Sequence, residues 1–95
     1  MRVPMRIRTV GDLPPGEELV ESMNISQRGA YFPTTLQLNV GSFVEVRFKM
    51  PEEVFPGQTH EWTFTARVIH TTPLGGFAKK FGVGVYFLYY SAAGA

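Results

Sequence analysis

The stretch "SFVEVRFKM" (Ser42–Met50) carries the most regular strand pattern in the chain. Apolar residues alternate with charged ones, and this period of two is typical of a half-buried β-strand. The pattern predicts that one face of the strand lies in a core and the other faces solvent. The residues predicted to point inward are Val44, Val46, Phe48 and Met50.

Similar patterns recur along most of the chain, separated by Gly, Pro and Asn. No segment shows a helical apolar stripe longer than two turns, so the sequence predicts an all-β fold with little or no helix. Strands at such close spacing favour a small six-stranded antiparallel β-barrel or sandwich. The predicted strands are 5–10, 17–23, 29–33, 42–50, 61–72 and 81–90.

The composition limits the class of protein. The 95 residues predict a single domain, 1–95, and 44% hydrophobic residues argue against disorder. A net charge of +1 argues against a general nucleic-acid binder, and the absence of cysteine excludes disulfides and thiolate metal sites. No apolar run approaches the roughly 20 residues that cross a bilayer, and no secretory signal is visible. We therefore expect a cytoplasmic domain without a membrane partner.

The sequence shows no set of residues that indicates an enzyme. The two histidines, His60 and His70, lie at opposite ends of one predicted strand. Ten residues of strand span about 33 Å, so these side chains do not meet at one metal. The group Glu17, Glu18 and Glu21 is expected to cover a solvated face. We expect no catalytic residues and no bound metal or cofactor.

The N-terminal stretch "RVPMRIRTV" (Arg2–Val10) concentrates positive charge in a nearly neutral chain. Guanidinium groups bind phosphate through two hydrogen bonds and stack on purine rings. However, Arg6 and Arg8 fall on one face of an alternating strand, and a solvated basic face is the commonest outcome of such a pattern.

A second stretch, "NISQRG" (Asn24–Gly29), lies between two predicted strands. Asn and Ser side chains hold turns by bonding to nearby backbone, and an Asn amide also matches the edge of a guanine base. Gly29 allows either a positive φ or the close approach of a ligand. Taken alone, the stretch is more typical of a plain β-turn than of a ligand site.

Together the two stretches are more specific. R-x-x-x-R (Arg2, Arg6), then a strand and a proline turn, then N-x-S-x-x-G resembles the PilZ domain family. The order that follows also resembles the family: "AYFP", then "LNVGSFVEVRFKM", "WTFTARVIHTT" and "FGVGVYFLYY". The resemblance extends over nearly the whole chain.

The resemblance implies a bacterial, six-stranded split β-barrel that binds the second messenger cyclic di-GMP. It implies that the arginines hold phosphates and guanine faces, that Asn24 and Ser26 bond a guanine edge, and that Gly29 leaves room for the ligand. Segment 1–8 would be a flexible arginine-bearing lead into the first strand, and 91–95 a tail. The implied ligand-binding residues are Arg2, Arg6, Asn24, Ser26, Gly29 and, within the turn, Arg28.

The arginine motif has two possible registers. The family pattern commonly places a Val-Pro-like step after the second arginine, and here that step is Arg2-Val3-Pro4. In that register Arg2 is the second arginine, the first would precede Met1, and Arg6 is an ordinary strand residue. Arg28 or Arg8 would then partly substitute. The sequence is compatible with both registers.

The leading hypothesis is a cyclic di-GMP sensor or effector module that acts through a protein partner or a fused effector domain. An alternative is a divergent barrel that does not bind the ligand and serves as a protein-interaction adaptor. A third hypothesis, a small barrel that stacks single-stranded nucleic acid, is weakened by the near-neutral charge.

Overall fold

The computed structural model describes residues 2–11, 15–49, 51–53, 56–57, 60–75 and 79–92. Within these ranges there are seven β-strands and no helix, so the all-β prediction is confirmed. It follows that the described residues include no helix able to cross a bilayer. The strands are β1 Pro4–Thr9, β2 Glu17–Glu21, β3 Asn24–Ile25, β4 Gly29–Thr34, β5 Phe43–Lys49, β6 Glu61–Pro73 and β7 Phe81–Ala92.

All seven strands belong to one antiparallel sheet with the order β2-β1-β5-β6-β7-β4-β3, which curls into a half-barrel. The count exceeds the predicted six because Asn24 and Ile25, within the predicted turn, pair with Tyr31 and Ala30 to form β3. The two edge strands, β2 and β3, follow each other in the chain. The sheet therefore curls until its two edges meet at a single corner.

Strand ends differ from the predicted ones by a few residues. β1 begins at Pro4, inside segment 1–8, and is hydrogen-bonded to β2 on one side and β5 on the other. β2 ends at Glu21, before Met23, and β7 continues to Ala92, inside the predicted tail. Residues 93–95 lie outside the described ranges.

The concave face of the sheet carries the core. On β5 the predicted inward residues Val44, Val46 and Phe48 are buried, while Met50 lies outside the described residues. Aromatic rings fill one end, where the centroids of Phe64 and Phe87 are 4.3 Å apart. Stacked rings of this kind contribute beyond their buried area. The period-two patterns therefore correctly predicted which face of β5 is buried.

The gap between β2 and β4 has no hydrogen-bonded ladder. The carbonyl of Tyr31 accepts a bond from the Met23 N–H, so the backbone of Tyr31 points away from β7. The backbone groups of Pro33, two residues later in the same strand, also point away from β7. Proline has no N–H to donate, so a further strand cannot pair fully there. The barrel is consequently split at this position.

Glu18 bridges this gap with its side chain. Its Oε1 accepts bonds from the Thr34 hydroxyl at 2.7 Å and the Thr35 N–H at 3.0 Å, and its Oε2 accepts one from the Thr35 hydroxyl. The expectation of a solvated glutamate is therefore wrong for Glu18, which is only partly exposed. Glu17 and Glu21 do lie in solvent.

The same contacts set the acidity of Glu18. Burial by itself would raise the pKa of this carboxyl, but the hydroxyls of Thr35 and Thr34, the Thr35 N–H and the charge of Lys80 outweigh burial. The pKa therefore lies below its ordinary value of 4.5. The ionised form is the one that joins β2 to the end of β4.

A pH titration of stability tests this bridge. Because the folded-state pKa is lowered, ionised Glu18 stabilises the fold above pH 4.5, and the contribution is lost as pH falls through the folded value. We expect Glu18→Gln to lower the free energy of unfolding at neutral pH by about 1–2 kcal/mol. Urea denaturation at several pH values should show this difference shrinking in acid.

The control is Glu17→Gln, which removes only an exposed ion pair with Arg6. We expect it to change stability by less than about 1 kcal/mol. An effect of Glu18→Gln that is the same at neutral and acid pH would contradict the assignment.

Candidate functional site

The corner between β2 and β3 is built on Ser22. This side chain is buried, and its Oγ accepts a hydrogen bond from the Val3 N–H at 2.8 Å. The Ser22 N–H donates in turn to the Val3 carbonyl at 2.9 Å. At the next residue the Met23 N–H donates to Tyr31 of β4 at 2.8 Å. The N-terminal segment is thereby fastened beside the start of the β3–β4 hairpin.

The hairpin itself displays the polar residues of "NISQRG". Asn24 lies opposite Tyr31, and the Ser26 N–H donates to the Gly29 carbonyl at 2.9 Å. The Arg28 N–H donates to Ser26 Oγ at 3.3 Å, which is the turn-holding role that the sequence suggested. The side chains of Asn24, Ser26 and Arg28 are exposed. They form a polar edge at the tip of the hairpin.

Arg2 lies at the same end of the molecule. It directly precedes Val3, and Asn24 follows Ser22 by two residues, a stretch of at most about 7 Å. The Arg2 side chain is 82% exposed, and its Nη1 lies 3.6 Å from Glu21 Oε1. An exposed pair at that distance contributes about 0–1 kcal/mol, so this guanidinium is available to a ligand.

Arg6 lies elsewhere. Four residues of strand place it about 13 Å from Arg2, further along β1. Its Nε is 3.2 Å from Glu17 Oε1, and it lines an open groove of about 450 Å³ together with Arg47 and Lys49. The structure thus brings Arg2 to the hairpin but not Arg6. This placement favours the register in which Arg6 is an ordinary strand residue.

Gly29 is required by the sheet itself. Its φ is not positive, so the first reason suggested for a glycine at this position is wrong. A Cβ at position 29 would lie 2.2 Å from the carbonyl oxygen of Val85 on β7. The group that closely approaches Gly29 is therefore the backbone of the neighbouring strand β7. The role of Gly29 towards a ligand stays a prediction.

Tyr31 and the glycines of β7 form a feature that the sequence analysis missed. A Cβ at Gly82 would lie 1.8 Å from Tyr31 Oη, and one at Gly84 would lie 3.8 Å from Tyr31 Cδ2. The tyrosine ring therefore lies across bare backbone beside Asn24. In the sequence, this feature was indicated by the "G-V-G" repeat in an alternating strand that pairs with an aromatic residue.

The site's chemistry suits binding. Among the described residues, no three His, Asp or Glu side chains are grouped as metal ligands. The hairpin edge offers an amide, a hydroxyl and backbone groups, and arginines flank it at Arg2 and Arg28. Amides and hydroxyls both donate and accept, while guanidinium groups prefer phosphate or carboxylate. The arrangement fits a planar anionic ligand.

A comparison with protein families identifies the fold. The family model described as PilZ domain matches residues 1–94. The chain belongs to the PilZ domain family. No curated protein and no solved structure gives a significant match. PilZ domains are in general cyclic di-GMP-binding or adaptor modules. In this PilZ chain, Arg2 of the first motif and the "NISQRG" hairpin thus lie at the corner formed by Ser22, while Arg6 lies along β1.

The packing role of Gly29 is testable without any ligand. Gly29→Ala should lower the free energy of unfolding by about 1–3 kcal/mol, because the added Cβ meets backbone that cannot rotate away. Gly84→Ala is the matched control, since its Cβ would meet no atom closer than 3.5 Å. Urea denaturation of both variants gives the comparison. Equal stability of the two variants would contradict this role.

Proposed function

We propose that this PilZ domain is a cyclic di-GMP sensor or effector module of bacterial second-messenger signalling in the cytoplasm. One observation supports the proposal: the Val3–Ser22 hydrogen bonds fix the backbone next to Arg2 at the corner where the hairpin starts, and the Arg2 side chain is exposed. The ligand has two phosphates and two guanines, and this corner offers a partner for each kind of group.

The roles follow from the chemistry of the side chains. Arg2 is proposed to bind a phosphate through its planar fork, or to stack on a guanine face. Asn24 can both donate to and accept from the guanine edge. The Ser26 oxygen already accepts a bond from Arg28, so its hydroxyl hydrogen is the group proposed to meet the ligand. Arg28 is proposed to supply a second positive charge from the turn.

Arg6 takes no direct part in this proposal, because it lies along β1 beside Glu17. Messenger binding would act on a protein partner or a fused effector domain through the same corner. The hairpin contains the shortest of the described strands, with two residues in β3. A ligand that bonds both Arg2 and the hairpin would therefore stabilise a locally weak element.

Calorimetry with cyclic di-GMP tests the site. We expect binding at about micromolar Kd or tighter, with Arg2→Ala and Ser26→Ala each weakening it about tenfold or more, since bonds to charged groups contribute about 1.5–3 kcal/mol. Arg8→Ala is the matched control, because its guanidinium pairs with Glu45 at 2.9 Å, further along β1. Arg6→Ala should behave like the control.

The outcomes separate the hypotheses. No heat at ligand concentrations near about 1 mM would contradict the proposed function. A loss of binding in Arg6→Ala as large as in Arg2→Ala would instead support the other register of the arginine motif.

Salt dependence gives a second test of the binding mode. Contacts between exposed arginines and phosphates are screened by ions, so the Kd should rise as NaCl is increased from about 50 mM to about 500 mM. The rise should be smaller in Arg2→Ala, which has one cation fewer. A Kd that does not change with salt would contradict arginine–phosphate binding.

The adaptor hypothesis is favoured by a separate observation. At the end of β7, Tyr89 and Tyr90 are 65% and 63% exposed, and Leu88 is exposed as well. Exposed aromatic side chains are enriched at protein interfaces. An absence of heat with cyclic di-GMP in the calorimetry above would favour this alternative over the sensor.

A further inference from the structure

A row of residues crosses the convex face of the sheet and begins at the candidate site. Gly29 of β4 lies opposite Tyr86 of β7, Tyr86 lies opposite Arg67 of β6, and Arg67 lies opposite Phe43 of β5. Directly opposite residues of an antiparallel sheet point to the same face. The residues on either side of Tyr86 and of Arg67 are buried, so these two side chains project outward.

The row is close to the hairpin edge. Neighbouring strands are about 4.8 Å apart, which places the Tyr86 backbone one strand from Gly29 and that of Arg67 about 10 Å away. Gly29 has no side chain to cover the surface between Ser26 and Tyr86. A flat group that bonds the Ser26 edge can therefore extend over position 29 to the next strand.

Within the described part of the chain, neither Tyr86 nor Arg67 has an aromatic or charged partner. Tyr86 is 45% exposed and makes no ring contact with the aromatic residues described. Arg67 is exposed and forms no ion pair with a described residue, in contrast to Arg2, Arg6 and Arg8.

The neighbouring row provides a comparison. Tyr89 is also an exposed tyrosine of β7, but it lies opposite Thr65, which lies opposite Glu45. The first row thus leads to a guanidinium that forms no ion pair with a described residue, whereas the second leads to a carboxylate that Arg8 and Arg47 already neutralise. An anion would therefore meet a cation without a described partner on the first row, but on the second it would have to displace Glu45 from its arginines.

We propose that Tyr86 is a stacking platform for a guanine base of the ligand and that Arg67 binds its phosphate. This inference rests on the proposed function and extends that site beyond the two sequence motifs. Bases stack on aromatic rings without regard to their identity, and a guanidinium in the next strand adds charge complementarity. The occupant is the cyclic dinucleotide itself, seated across the hairpin edge and the row.

Calorimetry on substituted chains tests the row. Removing one stacking ring in Tyr86→Leu should weaken cyclic di-GMP binding about 5- to 100-fold, whereas Tyr86→Phe keeps the ring and should stay within about threefold of the native chain. Tyr89→Leu is the matched control and should bind like the native chain. Arg67→Gln should weaken binding about tenfold, and its control is Arg47→Gln, an exposed β5 arginine with Glu45 and Thr63 as partners.

A spectroscopic readout reports where the ligand lies on the sheet. In Tyr86→Trp the new indole should change its fluorescence when cyclic di-GMP is added, and in Tyr89→Trp it should not. Thermal unfolding without ligand shows whether each variant is folded. If Tyr86→Leu fails to fold, the fluorescence of Tyr86→Trp decides.

The outcomes distinguish a failure of the proposed function from a failure of the inference about Tyr86 and Arg67. If the native chain gives no heat with cyclic di-GMP, the proposed function fails and the row has no ligand. If the native chain binds while Tyr86→Leu and Arg67→Gln bind equally well, the proposed function stands and this inference is overturned. An equal loss in Tyr89→Leu would also overturn it.

Discussion

The pair of hydrogen bonds between Val3 and Ser22 determines how the rest of the molecule is arranged. These bonds join the segment that leads into β1 to the corner that links β2 with β3, so the two edges of one sheet end side by side. Ser22 is buried, and an unpaired polar group there would cost about 1–3 kcal/mol. The corner that closes the half-barrel is therefore also the reason why Arg2 lies beside the hairpin.

Two opposing factors determine the gap between β2 and β4: one prevents strand pairing and the other joins the strands through a side chain. Pro33 prevents a full ladder, and the ionised carboxyl of Glu18 joins the strands through Thr34 and Thr35. A proline on one side of the gap and a glutamate-rich strand on the other also protect these edges against pairing with a second chain. One side chain thus takes the place of the ladder that closure of the barrel would otherwise require.

The sequence predicted what depends on local pattern. Alternation on β5 correctly marked Val46 and Phe48 as inward residues, because the two-residue period is a property of the strand itself. It could not separate Glu18 from Glu17, or the surroundings of Arg6 from those of Arg2, because these depend on partners brought by the sheet. Likewise, the reason for Gly29 is a carbonyl on β7, distant in sequence.

The distribution of charge over the convex face connects the fold to the proposed ligand. On the β1–β5 side, Arg6 and Arg8 have carboxylate partners, so an anion would have to displace these contacts. On the β4–β7–β6 side, a bare glycine and an exposed tyrosine lead to Arg67, which forms no ion pair with a described residue. A surface that only contacts proteins does not need paired arginines on one side and an arginine without a described partner on the other, since exposed aromatic residues could contact a protein on either side. The proposed planar dianion would use this division, because a base stacks on an exposed ring and an arginine without a described ion pair binds phosphate without displacing a carboxylate.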